Sequence, residues 1–142
     1  MMDRYYHIID SFKNWYPTLF EKTEHFQPLG RLSILVHMND GAKLEYTAHD
    51  HAIRDVTRYY DKSNAVDEES WRKEFGRRLR RLISERGISQ EKLSETTGIS
   101  RQMMTRYVKG TSTPSGFTLS RLSEALDCDV RELTRFGYID ED

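Results

Sequence analysis

Two short helical patterns lie on either side of a three-residue gap, and that spacing constrains this chain more than any other feature. Ser89 precedes the pattern Gln90–Thr97, Gly98-Ile99-Ser100 interrupts it, and Arg101–Lys109 resumes it before Gly110. Ser89 and Ser100 stand where a hydroxyl can accept a first-turn N–H, and Gly98 and Gly110 stand where a helix stops by turning left-handed. Two helices so closely joined, with apolar Ile99 in the turn, predict a helix-turn-helix.

The flanking sequence extends this into a larger helical unit. Trp71, Phe75, Leu79 and Leu82 form one stripe that ends at Gly87. A polar loop with Pro114 leads to a fourth helix bearing Leu119, Leu122, Ala125 and Leu126. Asp129-Val130-Arg131-Glu132 has the form of a capping box and opens a fifth helix through Leu133 and Phe136.

The first part of the chain reads differently. Tyr5, Ile8, Ile9, Phe12, Trp15, Tyr16, Leu19 and Phe20 follow helical spacing, and Pro17 divides them into one helix and a second short one. Pro28 and Gly30 break the chain. Residues 31–49 then alternate around Asn39-Asp40-Gly41, which predicts a hairpin pairing Met38 with Ala42, Val36 with Leu44, Ile34 with Tyr46 and Leu32 with Ala48. Ile53, Val56, Tyr59 and Tyr60 fit a short helix. The predicted fold is mainly α: a C-terminal five-helix bundle with a small N-terminal α+β module, a helix plus a β-hairpin. The predicted boundaries are 1–62 for the module, 63–69 for a linker and 70–138 for the bundle. The hairpin's apolar face needs cover from the N-terminal helices or from a second subunit.

The net charge of -1 conceals an uneven distribution. Residues 70–110 carry 11 Lys and Arg against four Glu, a local +7, while 1–66 net -1 and 111–142 net -4. A basic segment of that size admits a nucleic-acid partner where the whole-chain charge would not. One cysteine, Cys128, excludes an intrachain disulfide, and the residue reads as a buried hydrophobe. The longest run of large aliphatics, Ile34-Leu35-Val36, is far too short to span a bilayer, and no signal peptide is visible, so the expected location is the cytoplasm. All five histidines lie in the first 51 residues; His49 and His51 alternate on one face, but His37 pairs opposite Lys43, away from them, and nothing completes a tetrahedral metal site. No nucleophile–base pair, phosphate-cradling glycine loop or carboxylate pair stands out, so no enzyme, catalytic residue, metal or cofactor is expected.

Phe75-Gly76-Arg77-Arg78-Leu79-Arg80, Gly87-Ile88-Ser89-Gln90-Glu91-Lys92-Leu93-Ser94, Thr97-Gly98-Ile99-Ser100 and Tyr107-Val108-Lys109-Gly110 together resemble the phage repressor/Cro-type (XRE-like) helix-turn-helix DNA-binding family. The resemblance covers about residues 70–137. It implies a repressor-like five-helix bundle in which Arg101, Gln102, Thr105 and Arg106 read base edges, pairings that suit arginine with guanine and glutamine with adenine. It places Lys109, Thr111 and Ser112 against phosphates, Gln90 on a phosphate or on its recognition-helix neighbour, and Met104 and Tyr107 in the core. Ile83 and Val108 stand where many members carry an arginine and a glutamate that pair, a double replacement compatible with the fold. The implied function is a sequence-specific transcriptional regulator of prokaryotic or phage type, nucleoid-associated and acting on double-stranded DNA. One helix reads too few base pairs for a genome, so a homodimer on a palindromic operator is expected. The module within residues 1–66 is a candidate for dimerisation, effector sensing or a protein partner. The alternative is an interaction protein, such as a phage-type inhibitor or antitoxin, whose helix-turn-helix regulates its own gene.

Overall fold

Pro17 has no backbone N–H to donate, and the first helix stops just before it. In the computed structural model, which describes residues 2–60 and 67–134, α1 spans Met2–Trp15 and α2 spans Pro17–Glu21. The chain divides into two compact units, one within Met1–Asn64 and one within Ala65–Gly137. In the first, α1 buries Ile8 and Phe12 against a four-stranded antiparallel meander. Its strands are β1 (Thr23–Pro28), β2 (Ser33–Met38), β3 (Lys43–Thr47) and β4 (Ala52–Asp55).

The central hairpin has the register the alternation predicts. Ile34 pairs with Tyr46 and Val36 with Leu44; the Met38 N–H donates to the Ala42 carbonyl at 2.9 Å and the Ala48 N–H to that of Leu32 at 2.8 Å. Gly41 turns the chain at φ +92°, where a side chain would be strained. The inner face is covered by the same chain: the Phe12 ring meets Tyr46 edge-on at 5.4 Å and Phe26 at 5.9 Å, and the Ser11 hydroxyl lies 2.6 Å from the Tyr46 hydroxyl. This removes the hairpin face as a reason for a second subunit.

Two expectations for the module need correction. It is a helix pair on four strands rather than a helix plus a hairpin, because β1 and β4 flank the hairpin on either side. Each edge strand places a single large apolar residue on the inner face, Phe26 and Ile53, so no alternation is visible in the sequence. The segment read as a short helix over residues 50–60 is β4 followed by a 3-10 turn, Thr57–Tyr60. Asp55 sets that turn by accepting the Thr57 N–H at 2.9 Å. Strand β2 is buried on both faces, with Ser33, Leu35 and His37 as inaccessible as the residues between them.

In the second unit, Asp67 caps α3 (Glu68–Arg86) by accepting the Ser70 N–H at 2.8 Å. Helix α3 therefore begins inside the stretch read as linker; the remainder of that linker, 63–66, lies outside the described residues. Helices α4 (Gln90–Thr97), α5 (Arg101–Lys109), α6 (Gly116–Ala125) and α7 (Val130–Thr134) follow. The predicted extension of the last helix to Phe136 also lies outside the described residues. Phe75, Leu79, Leu82, Leu93, Met104, Leu122 and Leu133 are fully buried between these helices, whereas Cys128 is only half-buried, not the core residue expected. At Asp129 the capping box closes in both directions: the Asp129 N–H donates to Glu132 and the Arg131 N–H to Asp129.

Within this core α3 carries an ion pair. Arg78 Nε donates to Glu74 Oε2 at 3.0 Å, both side chains being inaccessible, and Arg78 Nη1 donates to the Glu132 carbonyl at 3.2 Å, tying α3 to α7.

Candidate nucleic-acid interface

The position of α5 is set by main chain pressed against main chain. A Cβ added at Gly76 would sit 2.8 Å from the carbonyl oxygens of Tyr107 and Val108, and one at Gly110 would sit 2.9 Å from that of Arg72. Helices α3 and α5 therefore cross where neither has a side chain in between. Gly110 also closes α5 at φ +76°. Arg80 donates across the crossing to the Val108 carbonyl. Inward, Met104 and Tyr107 are buried as expected, Tyr107 meeting Phe75 edge-on at 6.2 Å. Ser89 and Ser100 cap α4 and α5 by accepting the Lys92 and Met103 N–H groups at 2.9 and 3.1 Å, and left-handed Gly98 joins the helices.

The outer face of α5 presents Arg101, Gln102, Arg106 and Lys109 to solvent. Thr105 lies between them but is half-buried and engaged: its hydroxyl donates to the Arg101 carbonyl at 2.9 Å and accepts from Gln90 Nε2 at 3.1 Å. Gln90 and Thr105, assigned separately to phosphate and base, are thus bonded to each other across α4 and α5. Thr111 wraps the end of α5, its N–H and hydroxyl both donating to the Arg106 carbonyl at 2.9 and 3.2 Å, and Ser112 is half-buried beside it. Glu91 is not singled out by the sequence, yet its carboxylate lies 3.4 Å from the Arg101 guanidinium.

The local positive charge is partly consumed within the unit. Arg72 and Lys73 pair with Glu68 and Glu69, Arg77 and Arg78 with Glu74, and Arg81 with Glu85. Arg86 donates to the carbonyls of Leu126 and Asp127. Arg80, Lys92, Arg101, Arg106 and Lys109 remain exposed. The i,i+3 and i,i+4 spacing of these pairs is the signal that marks the internal cations.

Three of the histidines are occupied locally. His25 stacks on His37 at 4.0 Å, and His37 Nε2 lies 3.0 Å from Gln27 Oε1. His51 stacks under Trp15 at 4.0 Å and its Nδ1 lies 3.0 Å from the Tyr46 hydroxyl. Among the described residues no group of three metal-ligating side chains converges, and no helix is long and apolar enough to cross a membrane.

Two capped helices, the second held by its backbone and basic on its outer face, define a helix-turn-helix DNA-binding unit. Residues 78–137 belong to the Cro/C1-type HTH DNA-binding domain family. Over 44% of its length the chain is 35% identical to the restriction-modification controller protein C.AhdI from Aeromonas hydrophila, spanning 94% of that protein with a TM-score of 0.43. It is 22% identical over 47% of its length to an HTH_3 family transcriptional regulator from Vibrio cholerae, spanning 38% of that chain with a TM-score of 0.45. No curated protein matches the chain.

Proposed function

We propose that this chain is a sequence-specific transcriptional regulator, repressor-like, that inserts α5 into the major groove and acts as a homodimer on a palindromic operator in a prokaryotic or phage setting. The observation that carries the reading is the outer face of α5. Arg101, Gln102 and Arg106 are exposed on one short helix whose position is fixed by Gly76 and Gly110. Arginine and glutamine form the bidentate contacts that distinguish guanine and adenine in that groove. Lys109 and Ser112 follow at the end of the helix, where they suit phosphates, and Thr111 orders the turn that presents them. Gln90 supports Thr105 and so links the bracing helix to the reading one. Selection of bound duplexes from a random library tests the reading: an enriched inverted repeat is expected, and recovery of no preferred sequence overturns it.

A further inference from the structure

Arg101 occupies an unfavourable electrostatic position. It is the first residue of α5 after the Ser100 cap, where unpaired backbone N–H groups already make the potential positive. That helix carries no acidic residue in its first turn. The counter-charge comes from the other helix: Glu91 Oε2 in the first turn of α4 lies 3.4 Å from Arg101 Nη2. Both side chains are largely exposed, at 69% for Arg101 and 61% for Glu91, so the pair adds little to stability. On a face that meets DNA, moreover, a carboxylate is repelled by the phosphates. Glu91 therefore works against affinity where it stands; it suits the first turn of α4, and its pairing with Arg101 offers a second contribution.

A free arginine at the rim of the groove has two competing targets. Phosphate oxygens attract it without regard to sequence, whereas guanine O6 and N7 require its fork in one orientation. We propose that Glu91 is a positioning residue that exchanges affinity for base preference. By pairing with Arg101 Nη2, it draws the guanidinium towards α4 and off the phosphate wall, and leaves the donors that face away from the carboxylate as a fork for a guanine edge. The neighbouring Gln90 acts on the same helix through Thr105, so two successive residues of α4 engage two side chains of α5. This rests on the function proposed above and assigns a specificity determinant outside the reading helix.

The test is equilibrium binding of the full chain to its selected operator and to a scrambled duplex at several salt concentrations, for the wild type, Glu91→Gln, Arg101→Ala and the double variant. Glu91→Gln is expected to bind scrambled DNA more tightly and to lose about tenfold in the operator-to-scrambled ratio, as a base contact is relaxed. Its salt dependence should steepen by about one counterion as Arg101 takes a phosphate. In the Arg101→Ala background the same substitution should leave the ratio unmoved. A ratio unchanged by Glu91→Gln, or one that falls as far without Arg101, overturns the proposal. A wild-type chain with no preference for any sequence defeats the proposed function itself, and does so before any substitution is made.

Discussion

Gln102 and Lys109 share a helix, but the chemistry they are assigned differs, and so do the expected effects of removing them. Gln102→Ala should cost on the order of 1–3 kcal/mol on the selected operator and relax the preference at one base position. Lys109→Ala should weaken all duplexes alike and lower the salt slope by about one counterion. Titrations on operator and scrambled DNA separate the two; equal losses on both duplexes for Gln102→Ala would mean that α5 does not read bases. Other residues matter for stability alone. Glu74→Gln leaves Arg78 buried beside a neutral partner and should cost roughly 3–5 kcal/mol in denaturant titration. Gly76→Ala drives a methyl into two carbonyl oxygens and should cost about 1–3 kcal/mol. Gly116→Ala, with open space around the new methyl, is the matched control and should cost nothing.

At the scale of elements, legibility follows how local the information is. Helices α4 and α5 have the boundaries the sequence predicts, because Ser89, Gly98, Ser100 and Gly110 set each end within a few residues of it. The β2–β3 register is equally legible, since a slip by one residue would turn one strand's apolar residues, Ile34 and Val36 or Leu44 and Tyr46, away from α1. Strands β1 and β4 are not legible, because Phe26 and Ile53 alone mark their inner faces. Nor is the burial of Arg78, which depends on the Glu132 carbonyl far along the chain. The Gln90–Thr105 bond was legible as one of two roles for Gln90, but Glu91 looks in sequence like any acidic first-turn residue.

The N-terminal unit also carries a pH dependence. Burial, with the neighbouring Tyr6, pushes the Tyr5 phenol up to about 12, and burial raises Tyr46 as well. A phenol harder to ionise when folded contributes stability that is complete below its ordinary value of about 10 and is lost as pH climbs towards 12. The thermal stability of this unit should therefore fall above pH 10, and Tyr5→Phe should flatten part of that decline. Asp55 acts at the other end. The hydroxyl and N–H of Thr57 hold its carboxyl below the usual carboxylate range, so its contribution persists above that range and disappears as pH falls through the lowered value.

For the whole molecule, the proposed dimer no longer rests on an uncovered hairpin, since α1 covers that face within one chain. It rests on the operator: one α5 spans too few base pairs to be selective, and two copies on an inverted repeat supply the rest. Light scattering of the chain mixed with duplexes carrying one half-site or both should show two copies on the full site. A single copy at saturation of the full site would rule the dimer out. Among the described residues, Tyr6 and Trp15 in the first unit and Phe117 in the second are the large aromatic side chains still exposed, and replacing each in turn would show which unit joins the copies.

The backbone crossing of α3 and α5 has a consequence for how such a protein can change. A support made of carbonyls and glycines does not register which side chains lie on the far side of the helix it holds. Residues 101, 102 and 106 can therefore be exchanged for others without disturbing the mount, while 76 and 110 cannot. Under the proposed function, target sequence and scaffold then vary independently, and a lineage or an engineer can redirect the chain to a new operator without repacking its core.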